Sequence, residues 1–255
     1  MLQYQIMKVI VIAAGFSTRL YPLTLNFPKG LLEIGGKAIT AYVVDEIIKL
    51  KQVDEIVMVT NNRYYPYFAK WLKKNYPAKY IRLLNNGAND KDTRLGAIGD
   101  LQFVLDKTGW QEDLLVVSSD TLTSLNFNAF LEFFASHKGF INSIFNCHDK
   151  NIIKNKLGCA VVDGIKLIKF IEKPADPPTT LTSIPFYIYP KNSLPLITQY
   201  LKEGNHADAP GSIISWLIGK IATYAFDIGK GFYFDVGTKE VLEKLQQNFH
   251  KSGGV

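Results

Sequence analysis

Cysteine is scarce in this chain: Cys147 and Cys159 are the two among 255 residues. Neither sits in a Cys-x-x-Cys or Cys/His spacing that would hold a metal, and both stand in apolar sequence. They read as buried free thiols in a reducing cytoplasm. No apolar run approaches the ~20 residues of a membrane span, so no membrane partner is expected. The N-terminus places one lysine before a short apolar strand and lacks a cleavage-like site, which argues against a signal peptide. Met1 to Gln5 reads as a ragged extension before the pattern starts at Met7. Internal repeats, low-complexity tracts and linkers are missing, and Asp176-Pro177-Pro178 reads as a loop. Two common phosphate fingerprints are missing as well. Gly15 stands alone where a dinucleotide site needs Gly-x-Gly-x-x-Gly. Gly30 to Ala38 has one residue too many for a P-loop and ends without a hydroxyl, so Gly35-Gly36 reads as a tight turn after Leu31 to Ile34.

Apolar residues make up 47% and charged residues 20% of the chain, the balance of an ordinary globular protein. The length suffices for a full core. The net charge of +6 fits nucleic acid or small phosphorylated substrates. The stretch Lys70 to Tyr76 mixes basic and aromatic residues, but Phe68, Trp71 and Leu72 fall at helical spacing with lysines between them. That is an amphipathic surface helix, and no nucleic-acid partner is expected.

The first half alternates strand and helix. Strands are expected at Lys8–Ala13, Glu55–Thr60, Tyr80–Leu84 and Leu114–Ser118, with helices at Ala41–Lys51, around Trp71, at Leu95–Leu105 and at Leu125–Ser136. The second half is richer in strands: Asn142–Cys147, Gly158–Val162, Lys166–Ile171, Thr182–Tyr189, Ala222–Phe226 and Phe232–Phe234. Helices return at Leu194–Lys202, Ile213–Lys220 and Lys239–Phe249. This order predicts one α/β domain over residues 1–255, with a mixed, mostly parallel Rossmann-like sheet and helices on both faces.

The stretch from Ile12 to Leu32 carries the most chemistry. A buried strand runs into Ala13-Ala14-Gly15, where small residues let the backbone approach a ligand and bare amides can cradle an anion. Ser17 and Thr18 add hydroxyls, and Arg19 and Lys29 add positive charge. Three acidic residues end predicted strands: Asp120, Glu172 and Asp235. Ligands of such sheets sit beyond the carboxyl ends of strands. Two carboxylates plus substrate phosphates suit a magnesium ion.

These residues resemble a known family. Ala13-Ala14-Gly15-Phe16-Ser17-Thr18-Arg19-Leu20-Tyr21-Pro22-Leu23-Thr24 with Pro28-Lys29-Gly30-Leu31-Leu32 is similar to the signature loop of sugar-1-phosphate nucleotidyltransferases. Ser119-Asp120, Phe170-Ile171-Glu172-Lys173-Pro174 and Phe234-Asp235-Val236-Gly237-Thr238 continue the match, and Arg94 to Asp100 and Asp208 to Gly211 look like a microbial branch. The resemblance runs from about residue 8 to 245 and implies the nucleotide-diphospho-sugar transferase architecture. It divides the domain into a nucleotide-binding part (about 7–125) and a sugar-phosphate part (about 126–250). It also implies the short form, without a β-helix tail carrying a second, acetyltransferase activity.

The implied reaction joins an NTP to a sugar 1-phosphate, a hexose phosphate in the commonest case, giving an NDP-sugar and pyrophosphate. The implied roles follow position by position. Arg19 and Lys29 are catalytic, on the departing phosphates and between the two substrates. Ala13, Ala14, Gly15, Ser17 and Thr18 meet nucleotide and phosphates, and Gly96 lets base or ribose approach the backbone. Asp120 and Asp235 hold Mg2+. Glu172 accepts from sugar hydroxyls, with Lys173 near the sugar phosphate. Asn85 and Asn86 either read the base edge or make turns, and Asp208 either contacts substrate or caps the Pro210-Gly211 turn.

Three departures stand out. Ser119 replaces a common glycine and crowds the nucleotide, Gly30 replaces a common proline and loosens the Lys29 loop, and Pro185 stands where a glycine often faces the sugar. Two other readings remain open: a cytidylyltransferase acting on phosphocholine or another non-sugar phosphate, and a non-catalytic regulatory subunit binding nucleotide-sugars. The expected setting is cytoplasmic, with homo-oligomerisation open.

Overall fold

The structure, a computed structural model, describes residues 6–77 and 81–252; the extension at Met1 to Gln5 and the start of the strand expected at Tyr80 lie outside the described residues. Thirteen strands are described: β1 (Met7–Ala13), β2 (Glu33–Ile34), β3 (Lys37–Ala38), β4 (Val53–Thr60), β5 (Ile81–Asn85), β6 (Asp113–Ser118), β7 (Thr121–Thr123), β8 (Phe140–Asn146), β9 (Cys159–Asp163), β10 (Lys166–Ile171), β11 (Leu181–Tyr189), β12 (Thr223–Asp227) and β13 (Tyr233–Asp235). The helices are α1 (Ile39–Ile47), α2 (Tyr65–Asn75), α3 (Ala97–Thr108), α4 (Phe127–His137), α5 (Lys150–Ile153), α6 (Leu194–Lys202), α7 (Pro210–Leu217) and α8 (Lys239–Ser252). No described helix is long and apolar enough to cross a membrane.

Nine strands form one sheet in the order β5-β4-β1-β6-β11-β8-β12-β10-β9. The β5-β4-β1-β6 half is parallel throughout. Beyond it β11 runs antiparallel to both β6 and β8, β12 returns parallel to β8, and β10 and β9 close the far side antiparallel. Alternation along β1 explains the layering. Val9 and Val11 point into a core shared with α1, α2 and α4, while Ile10 points into one shared with α3, α6 and α7.

Boundaries moved where glycine or proline decides them. Gly96 takes φ +79° and Gly109 φ +68°, so α3 starts later and ends later than its apolar spacing implies. Pro210 opens α7 three residues before its first expected residue, since proline is suited to the first helical turn. Gly35 and Gly36 both have positive φ and join β2 to β3, as the paired glycines predicted. The short β7 and α5 were not legible as elements. Cys159 is buried, but Cys147 is only partly so, because β8 has ended at Asn146.

Pro185 lies inside β11, where it can donate no ladder bond. The pairing with β8 slips between Ser183 and Tyr187, which places the proline in a bulge. Ser143 Oγ fills the gap, donating to Phe186 O at 2.8 Å and lying 3.4 Å from Ile184 O.

Candidate active site

The loop after β1 is held in shape by polar groups at the end of β4 and in the turn that leads into α2. Thr60 Oγ1 donates to Ala13 O (3.1 Å) and Asn61 Nδ2 to Ala14 O (2.9 Å). The buried Tyr64 hydroxyl contacts Phe16 O (3.2 Å) and Thr24 O (2.5 Å), and burial pushes its pKa up to about 12, so it stays a donor. Thr24 Oγ1 closes the loop on Ser17 O (2.8 Å), and Ser17 itself is left-handed at φ +50°. A Cβ on Gly15 would meet nothing within 4 Å. The loop therefore opens onto a small cavity of about 110 Å³, bordered by Ala13, Gly15, Ser17, Lys29, Ser119 and Asp120.

Lys29 enters this cavity from a buried single-turn helix, Lys29–Leu31. Thr40 Oγ1 lies 2.8 Å from Gly30 O and 2.9 Å from Ser119 O, stitching that turn to the end of β6. A side chain at Gly30 would collide with the Thr40 hydroxyl and come within 3.1 Å of Ser119 O. The loosening expected from Gly30 is thus corrected: glycine here permits close packing. Ser119 is itself buried, its N–H bonded to Ile12 O at 3.1 Å.

Asp235 reaches the same point from a separate two-stranded ribbon, not from the main sheet as its strand-end position implied. β13 pairs antiparallel with β7, Asp235 opposite Thr121, and Val236 N–H reaches Asp120 O at 3.3 Å. Ile34, Ile39, Leu122, Val236, Leu242 and Leu245 form a small core that fixes this ribbon against β2, α1 and α8. Lys29 Nζ lies 2.5 Å from Asp120 and 3.7 Å from Asp235. The Arg19 guanidinium arrives beside Asp235 over Gly237, where a Cβ would sit 3.3 Å from Arg19 Nη2 and 3.2 Å from Asp235 Oδ2.

The charges act on one another strongly. Burial alone would raise Asp120, but the Lys29 charge and hydrogen bonds from Lys29 and Ser118 outweigh it and hold its carboxyl below the ordinary range. For Asp235 burial wins: with Asp120 nearby, its carboxyl is pushed up despite Lys29 and Arg19. Burial works against the Lys29 ammonium, yet the two carboxylates raise its pKa overall.

The remaining expected residues lie outside this cluster. Glu172 follows β10, its carboxylate packed over Gly211 at the start of α7. Lys173 is exposed and left-handed at φ +45°, its Nζ 3.7 Å from Glu172. Asp208 pairs with Arg94 at 2.7 Å on the surface. The space beside the Gly96 Cα is taken by the chain itself: a Cβ there would lie 2.6 Å from both Ala207 O and Asp208 Cα, and Ile98 N–H bonds Ala207 O at 2.8 Å. Asn85 is engaged with Asn62 and with Gly87 N–H, both at 2.9 Å. Asn86 donates to Asp100 at 2.6 Å, and burial with a lesser push from Asp208 raises the Asp100 carboxyl to about 6.

Arg19, Lys29, Asp120 and Asp235 are thus brought together with the Ala13–Thr18 loop, while Asp208 and Asn85 are occupied by partners in the protein. Thr40, Asn61, Tyr64 and Ser118 were missed, although all four support the cluster. The polar pair Thr60-Asn61 ending β4 was the one available signal.

The family model described as nucleotidyl transferase matches residues 8–252. Mannose-1-phosphate guanylyltransferase 1 of Arabidopsis thaliana is 31% identical over 172 residues, which is 66% of this chain and 45% of that protein. The chain spans about half the length of the curated relatives it matches. The inositol-1-phosphate CTP transferase of T. maritima superimposes with a TM-score of 0.74 at 17% identity, covering 98% of each chain. A UDP-glucose pyrophosphorylase complexed with UDP-glucose gives a TM-score of 0.75 at 19% identity, covering 96% of this chain and 99% of that one. At such identities these two structures establish the shared fold.

Proposed function

The chain belongs to the nucleotidyl transferase family, and from that premise we propose that it makes an NDP-sugar and pyrophosphate from an NTP and a sugar 1-phosphate. An oxygen of the sugar phosphate attacks the α-phosphorus, the bond to the β-phosphate oxygen breaks, and pyrophosphate leaves with that electron pair. Such transfer depends on positioning and on neutralising charge along the phosphate chain.

The observation that carries this reading is the meeting of Arg19, Lys29, Asp120 and Asp235 beside an open glycine loop. The loop amides from Ala13 to Thr18 suit the nucleotide phosphates. Arg19 offers a fork for the β- and γ-phosphates, since guanidinium binds phosphate bidentately. Lys29, whose buried turn is tied down by Thr40, would bridge the α-phosphate and the incoming sugar phosphate.

Two carboxylates converging on one cation form a hard oxygen donor pair, which fits magnesium bound by one or two carboxylates plus phosphates. Among the described residues no group of three or more His, Cys, Asp or Glu forms a self-sufficient metal cage. Asp120 and Asp235 would hold the ion, which supplies charge neutralisation on the phosphate oxygens.

Pyrophosphate release, measured over a panel of NTPs and phosphorylated acceptors with magnesium, tests the proposal. Asp120→Asn and Asp235→Asn should each lower kcat by about 10²–10³-fold or more, the scale seen when one charge-stabilising group is removed. Chelation of divalent cations should do the same to the unaltered protein. Turnover near that of the unaltered protein in either variant removes that carboxylate from the mechanism.

A further inference from the structure

Among the described residues two buried side-chain polar atoms have no hydrogen-bond partner, Thr121 Oγ1 and Asn142 Nδ2. Thr121 stands beside the charged cluster: it is 2% exposed and directly follows Asp120 at the start of β7. A buried hydroxyl that donates to nothing is a net cost, and native structures rarely keep one without a use for it.

The register places this hydroxyl opposite a carboxylate. Ser124 N–H donates to Phe232 O at 3.0 Å and Val236 N–H to Asp120 O at 3.3 Å. Hydrogen-bonded and non-hydrogen-bonded pairs alternate along an antiparallel ladder, so Thr121 and Asp235, one step in from Asp120 and Val236, form a non-hydrogen-bonded pair. Opposite residues in such a pair share a face and approach most closely, with Cβ atoms about 4.5 Å apart. A rotation about χ1 then carries a threonine hydroxyl to an aspartate carboxylate.

The two carboxylates of the cluster differ in their donors. Ser118 Oγ donates to one oxygen of Asp120, and Lys29 Nζ lies 2.5 Å from the other. Asp235 has Lys29 at 3.7 Å, and among the described residues no hydroxyl donates to its carboxylate. An idle donor and a carboxylate short of donors thus stand side by side.

We infer that Thr121 is a positioning residue for Asp235, its hydroxyl donating to that carboxylate and orienting it when the carboxylate pair holds a divalent cation. The inference rests on the nucleotidyl-transfer reading, because it takes Asp120 and Asp235 as the cation's donors. Carboxylates that bind a metal are themselves held by hydrogen bonds, and losing such a partner lowers metal affinity about 10–100-fold. Valine has nearly the shape of threonine without its hydroxyl. Removing an idle hydroxyl relieves the ligand-free protein, whereas removing an orienting donor weakens the loaded one.

Mn2+ stands in for magnesium, since carboxylate oxygens suit both. Its binding to the full chain is measured by the loss of the free ion's electron paramagnetic resonance signal, alongside melting of the ligand-free protein. Thr121→Val should weaken Mn2+ binding about 10-fold or more, while the ligand-free melting temperature stays the same or rises. Thr121→Ser keeps the donor and should bind nearly as tightly as the unaltered protein. On an Asp235→Ala background Thr121→Val should cause no further loss, because the carboxylate it orients is gone. Unchanged Mn2+ affinity in Thr121→Val, a lowered ligand-free melting temperature, failure of serine to restore binding, additive losses with Asp235→Ala, or no Mn2+ binding by the unaltered protein overturns the inference. Pyrophosphate release is read separately. The expected Mn2+ losses without release from any substrate pair overturn nucleotidyl transfer alone, while release with unchanged Mn2+ affinity in Thr121→Val overturns the role of Thr121 alone.

Discussion

Lys29 faces two carboxylates that its single charge cannot satisfy equally. Asp120 takes the 2.5 Å contact and its pKa falls; Asp235, at 3.7 Å, is left with a raised one. The consequences for stability have opposite sign. Asp120 contributes stability at neutral pH, and that contribution disappears as pH falls below the ordinary carboxylate range through its folded value. Asp235 contributes below the ordinary range, and its contribution disappears as pH rises through its elevated folded value. At pH 7, therefore, Asp120→Asn should lower the melting temperature and Asp235→Asn should leave it unchanged or raise it. Equal destabilisation by both would show that the pair shares Lys29 evenly. Asp100 behaves as Asp235 does, with a folded value of about 6 set by burial. Its contribution is full below the ordinary carboxylate pKa and is lost as pH rises through about 6. Asp100→Asn keeps an oxygen acceptor for Asn86 and should stabilise the protein by up to about 3 kcal/mol at pH 7, but not at pH 4. Denaturant midpoints at the two pH values measure the difference.

The Lys29–Leu31 turn and α1 act as one unit through Thr40. Its hydroxyl is shared by Gly30 O and Ser119 O, so Thr40→Val strands two buried carbonyls at about 1–3 kcal/mol. Turnover should fall more than stability, because the same contact aims Lys29. Gly30→Ala should be destabilising alone and milder on a Thr40→Ala background, since the hydroxyl it strikes is then gone; a double-mutant cycle reads this coupling. None of this was legible in the sequence, where Gly30 looked like slack. Local rules recovered β1, the Gly35-Gly36 turn and the alternation of the first half, because strand burial and paired glycines act over a few residues. The acidic residues were legible as positions but not as a cluster. What joins Asp235 to Asp120 is a three-residue pairing between strands 110 or more positions apart, too short to leave a periodicity. Likewise the assignment of Gly96 to ligand approach missed the Ala207–Asp208 segment that fills its space. Long-range packing of this kind has no signature in spacing.

At the scale of the molecule, residues up to about 125 and residues beyond, the two parts expected from the sequence, meet across β6 and β11, which pair from Leu114–Tyr189 to Val117–Phe186. Both large cores ignore the boundary near residue 125. The first runs from Met7 to Ile188 and the second from Ile10 to Ala225. Neither part can therefore lose its packing without exposing core residues of the other. Thermal unfolding should be one transition with equal calorimetric and van't Hoff enthalpies. The site draws on both parts too, with Lys29 and Asp120 from one and Asp235 from the other. An NTP with magnesium at about 100 times its Kd should then stabilise the whole molecule by about 2.7 kcal/mol, raising that single transition by several degrees. Arg19→Ala, which removes the proposed phosphate contact without touching either large core, should shrink the rise while leaving the ligand-free transition in place. Two resolved transitions, with only the lower or the upper one moved by nucleotide, would show instead that the parts fold independently and that the ribbon of β7 and β13 is a hinge between them.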